Sequence, residues 1–221
     1  MKMDLAVEKR TSPPKKAPYE LKKLKLRDRL RSRSISRWHT VEISKEQSVA
    51  EHSHLVGVIA EHLLNELVSI EKISFQDRYI LLKYAQIHDE SEVILNDISS
   101  ILKTYLKNKS ADFGTIIEEL ELELTPELAI TNAHFSINPH LKHIAKLADL
   151  LEALSFMSTC SGGDSQHNQV IFEKLNDLID LRCRTATKEC PDLEWELVID
   201  IKHEIQHGDS VILDFESLLT P

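Results

Sequence analysis

Glycine and proline, the residues that most reliably interrupt helices, number only five and seven among 221 residues. Their scarcity favours long helices over a turn-rich β fold. Apolar side chains recur at helical spacing where these breakers are missing. Ser48 is a good N-cap, with Glu51 three residues later as in a capping box, and Leu55, Val56, Ile59, Leu63, Leu64 and Leu67 follow. Phe75 to Ile87 repeats the pattern through Ile80, Leu81 and Tyr84, and 112–124 carries Phe113, Ile116, Ile117, Leu120 and Leu124. Pro139 suits the first turn of a helix that runs through Leu147 and Leu151 to about Met157. Ser161-Gly162-Gly163-Asp164 breaks the chain, and two further helices, about 167–188 and 192–207, flank Pro191. No alternating run is long enough for a sheet and no internal repeat is visible, so the expected class is all-α.

The length fits one large domain, alone or with an appendage, and is enough to bury a core. Apolar content of 42% and charged content of 29% are those of an ordinary globular protein. The three cysteines, Cys160, Cys183 and Cys190, form no CxxC pair. An odd count with no secretory leader points to free thiols in a reducing compartment, hence to the cytoplasm, or a host's cytoplasm for a viral chain. There is no apolar run of ~18 residues and no N-terminal apolar segment, so neither a membrane span nor a signal peptide is expected.

The net charge of −9 conceals a split. Residues 1–36 hold twelve Lys+Arg against four Asp+Glu, while the remaining 185 residues carry −17. Three prolines and four cations between Lys9 and Pro18 cannot form a core, so 1–18 is read as a flexible basic tail and 19–221 as the domain. Tyr19, Leu21, Leu24, Leu26 and Leu30, set among Lys and Arg, suit a basic amphipathic helix over 19–34. Such a head could contact phosphates, nucleic acid or a neighbour's acidic body. Stacking aromatics are sparse there, so nucleic acid is not the expected partner.

The chemistry concentrates on His88-Asp89. A neutral imidazole nitrogen beside a hard anionic oxygen suits a divalent metal. Upstream, a helix opens with Glu51-His52-Ser53; downstream, Asp149 stands inside the apolar stretch Leu147-Ala148-Asp149-Leu150-Leu151. A carboxylate there is costly to bury unpartnered; a lysine salt bridge or metal ligation would each account for it. The candidate ligands are therefore His52, His88, Asp89 and Asp149, from three helices.

That order and spacing resemble the HD-domain superfamily of metal-dependent phosphohydrolases. Arg37-Trp38 lies fourteen residues before His52, and His88-Asp89 is followed by Glu92 and Asp97. Together these resemble the 5′-deoxynucleotidase branch: Arg-Trp, Glu-His-Ser, His-Asp-x-x-Glu-x-x-x-x-Asp, then a later Asp. The resemblance covers about residues 30–185. It implies an HD-domain helical bundle, one divalent metal ion (Co, Mn, Zn or Mg), a deoxynucleotide substrate and a homo-oligomer. One departure concerns the substrate: the branch commonly has Gly before the second Asp and proline after it, whereas here Asn96 precedes Asp97 and Ile98-Ser99-Ser100-Ile101 follows. A related viral branch removes the whole triphosphate from deoxynucleoside triphosphates, dATP in particular, with similar motifs.

Roles follow from chemistry. Glu92, three residues after Asp89, is placed to orient or deprotonate the attacking water. Asp97 would position water or protonate the leaving oxygen. Arg37 suits a phosphate clamp, its planar fork matching two oxygens; Trp38 offers a flat face to sugar or base; Lys103 matches a family lysine with the reach for a phosphate. The leading expectation is cleavage of deoxynucleoside 5′-monophosphates. The alternatives are a triphosphohydrolase that releases triphosphate and a nucleotide-binding HD module without catalysis. His134, His140 and His143 match no trusted second-metal spacing, and His203 and His207 at i,i+4 have no third ligand motif.

Overall fold

The computed structural model describes residues 22–96, 98, 100–160 and 165–208. The tail at 1–18, the break at 161–164 and Asp97 lie outside the described residues. Ten helices follow one another among those described: α1 Leu26–Arg29, α2 Val49–Leu67, α3 Phe75–Ile87, α4 Glu92–Leu95, α5 Ser100–Lys109, α6 Ala111–Leu124, α7 Glu127–Ile137, α8 Pro139–Cys160, α9 Gln166–Glu189 and α10 Leu197–His207, with short 3-10 turns at Leu30–Ser34 and Ile70–Lys72. No strand occurs among them; one isolated antiparallel bridge joins Ser36 to Ser48.

α8 organises the bundle. It packs against α2, α9 and α10, with α7 and α3 completing its surroundings. Leu141, Ile144, Leu147, Leu151 and Leu154 are fully buried along it, facing Leu63 and Leu64 of α2 and Leu81 of α3. A helix apolar on nearly every side must be enclosed on nearly every side, and this central position satisfies it. Asp149 is therefore carried on the most enclosed helix among those described.

The ends of α2 and α3 are set by local chemistry. The Ser48 hydroxyl accepts from the Glu51 amide at 3.1 Å and the Glu51 carboxylate accepts from the Ser48 amide at 2.9 Å, the expected capping box. The Ser74 hydroxyl likewise accepts from the Asp77 amide at 3.0 Å and starts α3.

Three expectations are corrected. Residues 19–21 of the basic stretch lie outside the described residues; from 22 to 34 it forms only α1 and a 3-10 turn, because its apolar side chains there do not share one buried face: Leu24 is buried and bonded through its amide to the Leu124 carbonyl, while Leu26 and Leu30 are exposed. Cations of this stretch pair with this chain's own acids, Lys23 and Arg29 with Glu127 and Arg29 with Glu90. The last helix starts at Leu197 rather than near 192, since Trp195 turns inward and donates its indole N–H to the Cys190 carbonyl at 2.8 Å. Finally, α3 ends at Ile87, so His88 is its C-cap and Asp89 lies in the turn beyond. Helices α5 and α7, not anticipated from periodicity, fill the interval from α4 to α8. No described helix is long and apolar enough to cross a membrane.

Candidate metal centre

His52 sits in the first turn of α2 and is wholly buried. Its Nδ1 lies 2.5 Å from a carboxylate oxygen of Glu152, one turn beyond Asp149 on α8. Its Nε2 points the other way, 3.4 Å from Oδ2 of Asp89 and 3.4 Å from Oδ1 of Asp149. His88 donates through Nδ1 to the Ala85 carbonyl at 2.9 Å, so its Nε2 also carries a lone pair toward the same point, 3.4 Å from Asp89 Oδ2. Both Nε2 atoms are buried with no hydrogen-bond partner.

Orphaned buried acceptors are rare and call for an explanation. The distances supply one. Two ligands each about 2.1 Å from a tetrahedral ion stand roughly 3.4 Å apart. His52, His88 and Asp149 bring ligand atoms within 4.8 Å of one another, and Asp89 touches both imidazoles. Two nitrogens and hard oxygens are a donor set that divalent zinc, cobalt or manganese would accept.

Electrostatics point the same way. Burial lowers the pKa of His52, yet Asp149 and Glu152 overcome it and push the group up to about 9. Burial likewise raises Asp149, but Lys146, His52 and His88 hold it well below the usual carboxylate range. Asp89 is held low by His88, Arg37 and His52 against the same opposition. The carboxylates thus create a demand for positive charge that a proton on His52 meets in part and a metal would meet in full. A group raised above its ordinary 6.5 contributes stability that is complete below that value and is lost as pH rises through about 9. Chelator-treated protein is therefore expected to lose on the order of 3 kcal/mol between pH 6 and pH 9.5 in denaturant melts. Metal-loaded protein should be far flatter over that range, because the metal displaces the proton. Equal slopes in the two forms would contradict the assignment.

Around this centre, Arg37 donates to Asp89 Oδ2 at 2.9 Å and Lys146 to Asp149 Oδ2 at 2.5 Å. The lysine bridge weighed for Asp149 is therefore present, made by one oxygen while the other faces His52. Tyr84 stacks on the His88 ring at 5.5 Å and braces it; burial and the carboxylates of Asp149 and Asp89 raise its pKa. Glu92 is buried, its amide bonded to the Asp89 carbonyl at 3.0 Å, and Lys103 reaches within 3.8 Å of its carboxylate. Asn96 stands where the resemblance expects glycine, with φ 58° and ψ 168°. That backbone suits glycine and costs another residue of order 1–3 kcal/mol. The departure from the family pattern thus changes the residue and keeps a glycine-like conformation.

Trp38 and Arg37 lie in the segment 35–48, closed by the Ser36–Ser48 bridge and by the Arg37 amide on the Gln47 carbonyl at 2.9 Å. Asn168 of α9 brackets the Glu42 backbone, accepting from its amide at 3.3 Å and donating to its carbonyl at 2.8 Å. Trp38 has φ 66°, and one face of its ring stacks on Phe156 of α8 at 5.4 Å. A cavity of about 450 Å³ opens here, lined by Arg37, Trp38, His39, Val41, Ile43 and Lys45 among others.

The structure brings together His52, His88, Asp89, Asp149 and Arg37, with Glu92 and Lys103 on the adjoining turn and α5. His134 instead pairs with Asp77, and His143 with Glu189. The rings of His203 and His207 lie against each other, 4.9 Å between centroids. Sequence reasoning missed Gln47 and Glu152. The available signal was that Glu152 is a second acid inside an apolar helix, at i+3 from Asp149.

The sequence model of the YfbR-like family, described as "5′-deoxynucleotidase YfbR-like", matches residues 28–189. A dATP triphosphohydrolase of Acinetobacter phage SH-Ab 15497 is 28% identical over 79% of this chain and 87% of its own length. Another, of Salmonella phage PMBT28, is 28% identical over 65% of this chain and 71% of its own. Among solved structures, the cyanophage S-2L HD phosphohydrolase bound to dA and one catalytic Zn2+ ion superposes with a TM-score of 0.62 at 21% identity, over 74% of this chain and 87% of that one. The chain belongs to the YfbR-like 5′-deoxynucleotidase family and is a metal-dependent HD phosphohydrolase of deoxynucleotides.

Proposed function

We propose that this enzyme cleaves deoxynucleoside triphosphates, dATP first among them, to deoxynucleoside and triphosphate. His52, His88, Asp89 and Asp149 would hold one divalent metal. The observation that carries the catalytic reading is the pair of buried, unpartnered Nε2 atoms facing two aspartate oxygens at 3.4 Å. Both phage relatives are named dATP triphosphohydrolases, which supports the triphosphate reading over the monophosphate one. The cations support it too. A triphosphate adds negative charge beyond the α-phosphate, and Lys103 and Lys107 lie one turn apart on α5, both acting on Glu121, which also feels Asp89.

The bound metal supplies Lewis acidity toward a phosphate oxygen and acidifies water. Glu92 orients the attacking water and takes its proton. Water attacks the α-phosphorus and the bond to the 5′-oxygen breaks; Asp97 is the group proposed to protonate that oxygen. Arg37 exchanges its bond to Asp89 for phosphate oxygens, and Lys103 holds the outer phosphates. Trp38 stands beside the nucleoside. The family description favours the same centre acting on 5′-monophosphates as the second reading. The phage relatives support a host cytoplasm as its setting. Exposed Phe75 and Tyr79 on α3, with Ile130 and Ile137 on the adjoining α7, support self-association.

The test is chromatography of products from deoxynucleoside mono- and triphosphates with Co2+ or Mn2+, beside an Asp89→Ala control. Deoxyadenosine plus intact triphosphate from dATP is the expected result. Phosphate from monophosphates alone would move the enzyme to the second reading. No control-sensitive turnover would leave a nucleotide-binding module.

A further inference from the structure

One chain of hydrogen bonds runs from the half-buried Trp38 to the buried metal centre. The Trp38 indole donates to Oε1 of Gln47 at 3.0 Å. Nε2 of Gln47 donates to Oε1 of Glu152 at 2.5 Å. Oε2 of Glu152 faces Nδ1 of His52 at 2.5 Å. Gln47 is 4% exposed, Glu152 1% and His52 0%.

The direction of every bond is dictated by its neighbour. An indole N–H can only donate, so Gln47 must present its carbonyl to Trp38 and its NH2 to Glu152. Glu152 therefore accepts at one oxygen from Gln47 and offers the other to His52, which donates through Nδ1. The remaining lone pair of His52 is then at Nε2, aimed at Asp89 and Asp149. A buried carboxylate is costly unless donors surround it, and here each oxygen has one. Glu152 is buried from solvent, and these two bonds engage both of its oxygens.

The geometry points to Glu152 as a positioning residue for the metal, held in place by Gln47 and, through it, by Trp38. It fixes the His52 tautomer and ring orientation and raises the basicity of Nε2. The same chain couples the Trp38 segment, and hence whatever nucleoside lies against it, to the metal's first histidine. This deepens the proposed function and rests on His52 being a ligand.

The test is Zn2+ affinity of the full chain, by competition with a chromophoric chelator, read together with 15N–1H spectra of the zinc-loaded imidazoles. Carboxylate partners of metal-bound histidines typically carry 10–100-fold in affinity. Glu152→Leu is expected to weaken zinc about 100-fold and to lose the slowly exchanging His52 Nδ1–H signal. Glu152→Gln keeps an acceptor of the same shape; it should retain that signal and lose about 10-fold. Trp38→Phe removes the indole N–H while leaving an aromatic ring at that position, and should still weaken zinc several-fold. Should Glu152→Leu fail to fold, the isosteric Gln variant and Trp38→Phe carry the measurement. Binding that needs His52 but stays within twofold of wild type in these variants overturns the inference alone. Zinc not retained by wild type, or retained unchanged by His52→Ala, overturns the ligand reading and the inference with it.

Discussion

Replacing Asp149 by alanine is expected to empty the metal centre and to lower turnover by on the order of 10³-fold or more, with helix content intact. The loss is large because two effects coincide. The centre would lose an anionic ligand carried on the buried central helix, and Lys146, at 2.5 Å, would lose its counter-charge. Its neighbours on α8, Ala148, Leu150 and Leu151, are buried and unchanged by the substitution. The fold should therefore survive. Metal content by atomic spectroscopy, turnover and circular dichroism on one sample separate these effects. Near wild-type metal content with near wild-type turnover would remove Asp149 from the centre.

Glu92→Gln is expected to cut kcat by about 10²–10⁴-fold while metal retention and KM stay near wild type. Glu92 is buried beside the centre, tied by its amide to the Asp89 carbonyl, with Lys103 at 3.8 Å. Glutamine keeps the shape and one hydrogen-bonding oxygen but cannot take a proton from water. An effect on kcat alone would therefore identify proton transfer or water orientation. A fall in metal affinity of equal size would instead make Glu92 part of the metal's support, and an unchanged kcat would leave Glu92 as a partner for Lys103.

Much of the site was legible because its residues break the pattern around them. Asp149 is an acid among leucines, and His88-Asp89 closes an apolar helix. The capping box at Ser48 and Glu51 announced the start of α2, and His52 one residue later inherited its place from that start. Periodicity located α2, α3, α6, α8 and α9 to within a few residues. It overlooked α5 and α7, and it overextended the basic stretch at 19–34. There, spacing suggested one apolar face, whereas among the described residues Leu24 is buried near Leu124 and Leu26 and Leu30 are exposed. Periodicity reports which residues could share a face and is silent on whether another element will cover it.

The sequence by itself determined the class of fold, the metal-binding residue types and the likeness to a deoxynucleotide phosphohydrolase, because those follow from local spacing and from residues too costly to bury without a function. Only the tertiary structure decided how these groups are oriented. It took the packing of α2 on α8 to set His52 against Glu152, and the closed segment at 35–48 to carry Gln47 and Trp38 to the same carboxylate. Gln47 and Glu152 are 105 residues apart in the chain. Their bond depends on where that segment meets α8, and no spacing rule along a single chain encodes that meeting.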